Sequence, residues 1–249
     1  EDVTHAAQVR RFYEQLWRDG ITVDFALPGQ DLSGYRLVVA PAQYLLSTAD
    51  AANLTSYVGG GGTLLVSFFS AIVDENDAVH AGGFVAPLRE ALGLTVEEFL
   101  PLREGESHGL DWVDHEGIVA DVWQEDIALE GAEVVANFSG GPGEGEPAIT
   151  RHRHGAGTGW YVGTRLDAAG MRALLHEVYA DADVTPSGVA DGLEVITRHG
   201  ADAVYRIAVN HRDDDVELEA AGVELLSGAE ISGALTIVAG GVAVIRTSH

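Results

Sequence analysis

Gly59-Gly60-Gly61-Gly62-Thr63-Leu64-Leu65-Val66-Ser67-Phe68-Phe69 decides the fold of this chain. Residues 63–69, dominated by Leu64-Leu65-Val66 and Phe68-Phe69, read as a strand buried on both faces. The four glycines before it stop a helix and turn the chain. That helix begins at Ser47, with Asp50 three residues on in a capping-box-like pattern, and continues through Leu54, Tyr57 and Val58. Ahead of it stands a second apolar run, Leu37-Val38-Val39-Ala40, also expected to be buried on both faces and to end in a loop at Pro41. Strand, helix and strand in this order predict an α/β domain with a parallel sheet. A phosphate loop needs its glycines after a strand and before a helix, the reverse of the order here.

Upstream, Val9, Phe12, Tyr13, Leu16 and Trp17 recur at helical spacing over 4–19, and Asp19-Gly20 stops that helix. Residues 21–25 then read as a strand. Downstream, the pattern predicts a helix over 85–92 and a strand over 94–99. A polar, irregular stretch follows at 102–117. Strands are expected at 118–122, 133–138, 147–153 and 159–164, with a turn-rich loop at 140–145. Asp167 caps a helix over 168–180. Pro186 and Gly188 mark a linker over 181–192. Beyond it the period changes to 2. Short strands at 193–197, 204–209, 216–218, 223–226, 235–238 and 242–245 predict a small antiparallel β-domain. The expected division is 1–185 and 186–249.

Composition bounds the function. The 249 residues are 46% hydrophobic and 21% charged, which allows a sizeable core. The formal charge is −25, and all 14 basic residues are Arg. Such a chain repels phosphate backbones and anionic bilayers, so neither nucleic acid nor a membrane is an expected partner. Salt would screen the self-repulsion, which makes adaptation to high salt one reading of the acidity. No Cys is present, which excludes disulfides, thiolate metal sites and a cysteine nucleophile and is compatible with the cytoplasm. No apolar run approaches the ~20 residues of a membrane span. The chain opens with Glu1-Asp2 and runs at once into helix-like sequence, so its start reads as a cut. No pattern calls for a cofactor.

Four stretches carry a resemblance. The first is Val9-Arg10-Arg11-Phe12-Tyr13 through Leu16-Trp17 to Val23-Asp24-Phe25. The second is Asp31-Leu32-Ser33-Gly34-Tyr35-Arg36 into Leu37–Pro41, with Tyr44-Leu45-Leu46. The third is Gly61–Val66, then Phe69-Ser70, Ile72-Val73-Asp74-Glu75-Asn76-Asp77 and Gly82-Gly83. The fourth is Trp123 through Leu129–Val134, then Pro147–His152 and Gly159–Thr164. Together they resemble the C-terminal half of the family 42 glycoside hydrolases, the β-galactosidases, over residues 5–165. The resemblance implies three-domain enzymes: a catalytic TIM barrel, a trimer-building domain similar to class I glutamine amidotransferases (flavodoxin-like), and a small β-domain. This chain would correspond to the last two. Both catalytic carboxylates of such a retaining enzyme, about 5 Å apart, would lie in the absent barrel. No position here then inherits a catalytic role, and the partners are a homotrimer and the barrel of the same polypeptide. The family also places one more strand before the first helix.

Several residues invite their own chemistry. Ser70 follows a buried strand, but its neighbours do not give the Gly-x-Ser-x-Gly of a hydrolase elbow. Asp74, Glu75, Asn76 and Asp77, followed by His80, suggest a cation loop. They lack the alternate spacing and sharp-turn Gly that calcium loops need, and side-chain capping of a turn is the plainer account. The resemblance adds a third reading, a subunit interface formed by Phe69, Ser70, Asp74, Glu75, Asn76, Asp77 and His80. His152 and His154 share one face of a predicted strand and would bind zinc only with a third ligand. Trp112, Trp123 and Trp160 are either sugar-stacking platforms or core anchors. The expected role is therefore non-catalytic assembly of a β-galactosidase. A carbohydrate-binding module and a Ser-dependent hydrolase are the alternatives. The aromatic-poor stretch after residue 190 speaks against the module.

Overall fold

The computed structural model describes residues 3–248. It divides into two compact units, one of Glu1–Phe12 and Phe25–Val184, the other of Tyr13–Asp24 and Thr185–His249. The division passes through the first helix, α1 (His5–Arg18). Among the described residues, no helix is long and apolar enough to cross a membrane.

The first unit is built on an eight-stranded mixed sheet. Its parallel part comprises β1 (Leu37–Ala40), β2 (Thr63–Ser67) and β9 (Gly157–Val162), with Leu37 opposite Thr63 and Leu65 opposite Trp160. Helix α2 (Thr48–Gly59) connects β1 to β2. Ser47 caps it as expected, its Oγ accepting from Asp50 N–H at 3.1 Å and donating to Asp50 Oδ2 at 2.8 Å. Ala51, Leu54 and Val58 of α2 join Leu64, Val66 and Tyr161 in one core cluster.

The expected parallel sheet forms only in this part of a mixed sheet. From β9 the order continues through β8 (Pro147–His154), β7 (Glu133–Ser139), β4 (Ser107–Trp112), β5 (Val119–Asp121) and β10 (Arg165–Leu166), all antiparallel. The reason lies in the connections. β8 reaches β9 through a tight turn at Gly155 (φ +59), and a hairpin can only join antiparallel strands. Gly159 in β9 is required by close approach, since a Cβ there would lie 2.2 Å from the Ala91 carbonyl oxygen.

Other expectations also change. β2 is wholly buried, but β1 is only half-buried up to Ala40, because it ends the sheet and pairs on one side alone. Residues 21–25 form no strand, and Phe25 is 70% exposed. Within the stretch expected to be irregular, β4 forms because Leu110 and Trp112 point inward while Asp111 points out. The helical stretch at 85–92 is a 3₁₀ turn (Ala86–Leu88) followed by α3 (Arg89–Leu92). β3 (Leu94–Pro101) and β6 (Trp123–Leu129) make a separate antiparallel pair with a bulge between Val96 and Glu98. Helix α4 (Ala168–Ala182), capped by Asp167, buries Met171, Leu174, Leu175 and Val178.

The second unit is an antiparallel five-stranded sheet in the order β11 (Leu193–His199), β12 (Ala203–Asn210), β15 (Val242–Ser248), β13 (Val216–Glu224) and β14 (Glu230–Ile237). Five strands replace the six expected. The two short runs at 216–218 and 223–226 belong largely to one strand, joined by Glu219-Ala220-Ala221-Gly222. Its register passes from β14 to β15 near Gly222 (φ +133), where a Cβ would sit 2.2 Å from the Arg246 carbonyl oxygen. The end of α1 also belongs to this unit. Gly20 (φ +68) donates to Trp17 O, and Ile21 donates to Leu16 O, a paired termination that satisfies two helix-end carbonyls.

Candidate functional site

β2 ends at Ser67, and the chain then makes a tight turn through Phe68-Phe69-Ser70-Ala71. Phe69 (φ +60) and Ala71 (φ +50) both take the left-handed conformation that favours glycine. Each such residue costs on the order of 1 kcal/mol or more, so the surroundings must hold them. The loop after β1 does so. Ser67 Oγ accepts from Ala42 N–H at 2.7 Å, Ser70 Oγ accepts from Gln43 N–H at 2.9 Å, and Ala71 N–H donates to Gln43 O at 2.8 Å. Ile72 N–H reaches Tyr44 O at 2.9 Å. The two loops after β1 and β2 are thereby joined along their length.

This turn presents Phe69, half-buried, to a cluster of rings. Tyr44 stacks on Phe69 with centroids 5.3 Å apart, Trp123 meets Phe69 edge-on at 5.3 Å, and Phe99 lies 5.9 Å away. Phe84 stacks on Phe99 at 4.0 Å. Tyr44 and Leu45 remain 38% and 44% exposed, so the cluster has one face in solvent.

Beneath the rings lies Glu125, with no solvent exposure. Its Oε1 accepts from Trp123 Nε1–H at 2.9 Å and from Phe69 N–H at 3.4 Å, and its Oε2 accepts from the Tyr161 hydroxyl at 2.6 Å. Burial pushes this carboxyl up to about 7, opposed by the three donors. Burial and the neighbouring Glu125 charge also raise the Tyr161 phenol well above its ordinary value. Sequence reading did not single out Glu125, Phe99 or Tyr44 as site residues. A signal existed for the first: Trp123, Glu125 and Ile127 share one face of a strand, so a carboxylate interrupts an apolar alternation.

The structure places Ser70 next to Phe69 but seals it. Its hydroxyl donates to Ser67 O at 2.7 Å and the side chain is wholly buried, so neither its proton nor its lone pair addresses a substrate. The acidic run leaves the same pair of loops through a Leu45–Val73 bridge. Asp74 Oδ1 accepts from Ala78 N–H at 3.0 Å and from Asn76 N–H at 2.8 Å, which holds its carboxyl below the usual range, the Ala78 bond most of all. His80 binds Leu46 O through Nε2 at 2.9 Å. Asp74 is therefore a turn-forming side chain, while Glu75, Asn76 and Asp77 face solvent. Among the described residues, no group of three or more His, Asp or Glu is arranged to hold a metal.

His152 and His154 diverge from a common site: His152 lies against Gly93 and Gly131, His154 against Gly59. The tryptophans are anchors. Trp112, Trp123 and Trp160 are all buried, and their indole N–H groups bind Glu177, Glu125 and Asp181.

Comparison with known proteins gives this geometry a context. A family profile described as the beta-galactosidase trimerisation domain matches residues 1–185, and one described as the beta-galactosidase C-terminal domain matches residues 192–247. A beta-galactosidase of Arthrobacter sp is 39% identical over 246 residues, covering 98% of this chain and 35% of that protein. A beta-galactosidase of a Geobacillus strain is 43% identical over 211 residues, covering 84% of this chain and 31% of that protein. The crystal structure of beta-galactosidase from Bacillus circulans sp. alkalophilus superposes with a TM-score of 0.91 at 31% identity, covering 98% of this chain and 37% of that one. The chain thus spans about a third of the length of these relatives.

Proposed function

The chain belongs to the family 42 glycoside hydrolases, the β-galactosidases, and from that premise we propose that it is the non-catalytic, assembly-bearing part of such an enzyme. The parent reaction is retaining hydrolysis of terminal β-D-galactosides. Its two carboxylates belong to a TIM barrel elsewhere in the same polypeptide. The observation that carries this reading is the ring cluster around Phe69, an apolar surface held by the paired loops and partly exposed to solvent. Aromatic surfaces of this kind anchor protein contacts. Phe69 and Ser70 form its turn, and Asp74, Glu75, Asn76, Asp77 and His80 form its acidic rim, so these residues make the subunit interface of a homotrimer. The parallel strands β1, β2 and β9 with α2 support a fold similar to the class I glutamine amidotransferases, Phe69 standing at the strained turn after β2. We divide the chain functionally at 185/186 and assign the parent to the cytoplasm.

Light scattering tests this reading. Three chains of 26.3 kDa make about 79 kDa, the expected mass in solution. Phe69→Asp puts a charge into the apolar surface and is expected to yield a folded monomer. A wild-type monomer, or a Phe69→Asp trimer, would overturn the assignment of this surface.

A further inference from the structure

We propose that β14 is a self-pairing edge: two copies of the chain join β14 to β14 antiparallel about a two-fold axis at Ala234, making one continuous sheet from two. The joint is separate from the Phe69 surface and does not rest on the trimer reading above.

β14 ends its sheet and pairs with β13 on one side. The bonding of β13 shows which groups of β14 face the other side. The Glu219 carbonyl accepts from the Arg206 guanidinium at 3.0 Å and the Ala221 carbonyl from the Thr247 hydroxyl at 2.7 Å, so both turn away from β14. Main-chain direction alternates along a strand, so Leu218 and Ala220 bond to the residues opposite them, Leu235 and Gly233. Ser232, Ala234 and Thr236 therefore aim their N–H and C=O groups at the open side, and all three are exposed. The register to β13 runs unbroken through Gly233 (φ +131). An open edge of this kind is a template for another strand, and folded proteins guard such edges with charge. The opposite edge is guarded in this way: β11 carries Glu194, Arg198 and His199. Residues 231–238 carry no charge, in a chain of net charge −25.

A second copy is the occupant because β14 is complementary to itself. With Ala234 opposite Ala234, the outward-bonding residues make about six main-chain hydrogen bonds across the joint. The same register sets Ser232 against Thr236 of the second copy on the outer face, where the hydroxyls can bond to each other. On the core face it sets Gly233 against Leu235 and Ile231 against Ile237. Ile231 and Leu235 pack against the core cluster but are only half-buried, and the second copy covers them. A Cβ on Gly233 would meet nothing within 4 Å, so space stands open where Leu235 of the second copy is placed. Glu230 falls opposite the uncharged Val238, which keeps the like charges of the two strands apart. Repulsion between two chains of −25 opposes the joint, and salt screens it. Association is therefore expected to strengthen with salt as well as with concentration.

Light scattering on the full chain in molar KCl tests the joint. Raising the concentration is expected to carry the mass from about 79 kDa to about 158 kDa or more if the chain trimerises, and from 26.3 kDa to about 53 kDa if it does not. Failure of the trimer reading and failure of the edge are thereby distinguished. Ala234→Lys sets like charges face to face at the axis, on an exposed residue whose main chain points away from β13, and is expected to abolish the rise. Cross-linking reads the register and decides should the Lys variant not fold. The chain has no Cys, so Ala234→Cys and Glu230→Cys each carry one thiol. Across the joint the two copies of position 234 lie about 5.5 Å apart, and the two copies of position 230 about 27 Å apart. A short bis-maleimide is expected to link the Ala234→Cys chains into covalent dimers and to leave the Glu230→Cys chains single. A wild-type mass that stays constant with concentration, a rise that survives in Ala234→Lys, or equal linking of the two Cys variants would each overturn the proposal.

Discussion

The Tyr161 hydroxyl donates a 2.6 Å hydrogen bond to Glu125 Oε2, tying the central sheet to the separate β3–β6 pair at a point sealed from solvent. A hydroxyl, an indole N–H and a main-chain N–H all converge on one carboxylate. Three donors offset the cost of burying it in part, and the raised pKa records the remainder.

That remainder makes stability depend on pH. The folded pKa of Glu125, about 7, lies above the ordinary 4.5, so its contribution is full below pH 4.5 and is lost as pH rises through 7. Glu125→Gln lacks this loss. Relative to wild type, it is expected to be more stable at pH 8.5 than at pH 4.5, by up to about 3 kcal/mol. Urea unfolding of both proteins at the two pH values measures the difference.

Ser70→Ala leaves the Gln43 N–H without its acceptor and frees the Ser67 carbonyl, between two loops that hold strained residues. The expected cost is about 1–3 kcal/mol. It should appear in denaturant midpoints as a loss of stability. An esterase activity present in wild type and absent in the variant would contradict the structural role.

In the second unit, the buried Asn210 donates through Nδ2 to the carbonyls of Asp214, Ile237 and Val238, and its Oδ1 accepts from Arg212 N–H. Asn210→Ala leaves these groups unpaired and is expected to cost about 2–3 kcal/mol. Hydrogen exchange should show the loss concentrated in residues 185–248.

Glu224 responds to acid. Its carboxylate accepts from Ser227 Oγ–H first, and from the N–H groups of Val244, Leu226 and Ser227, which brings its pKa down to about 2. The folded value lies below the ordinary one, so this contribution is present above pH 4.5 and lost as pH falls through 2. Circular dichroism between pH 6 and 2 should show wild type losing more stability than Glu224→Gln.

With a formal charge of −25, salt is expected to raise the melting temperature by screening repulsion. Scanning calorimetry in low and in molar KCl checks this. A melting point unmoved by salt would remove the salt-adaptation reading of the acidity.

Local chemistry was legible in the residues themselves. The Ser47–Asp50 cap, the Asp167 cap and the Gly20 helix stop each need only a few consecutive residues, and each formed as expected. The buried run of β2 and the change to period 2 after residue 192 were equally local. Pairing was not local. The strand expected at 21–25 did not form; Ile21 instead uses its N–H to close the end of α1. Glu219-Ala220-Ala221-Gly222 became strand because β14 supplied a pairing partner, although Ala and Gly favour strands little.

The same limit applies to the site. Its resemblance-bearing residues, Phe69 to His80, could be read from order along the chain. Only the tertiary structure decided that Phe69 takes a positive φ, that Ser70 is closed off, and that Asp74 spends its oxygens on its own turn. It alone brought Glu125 beneath Phe69, 56 residues away in sequence. A side chain's type fixes which bonds and charges it can offer. Its pKa and its exposure depend on neighbours that arrive only when distant segments pack, and that is where the structure decided what the sequence left open.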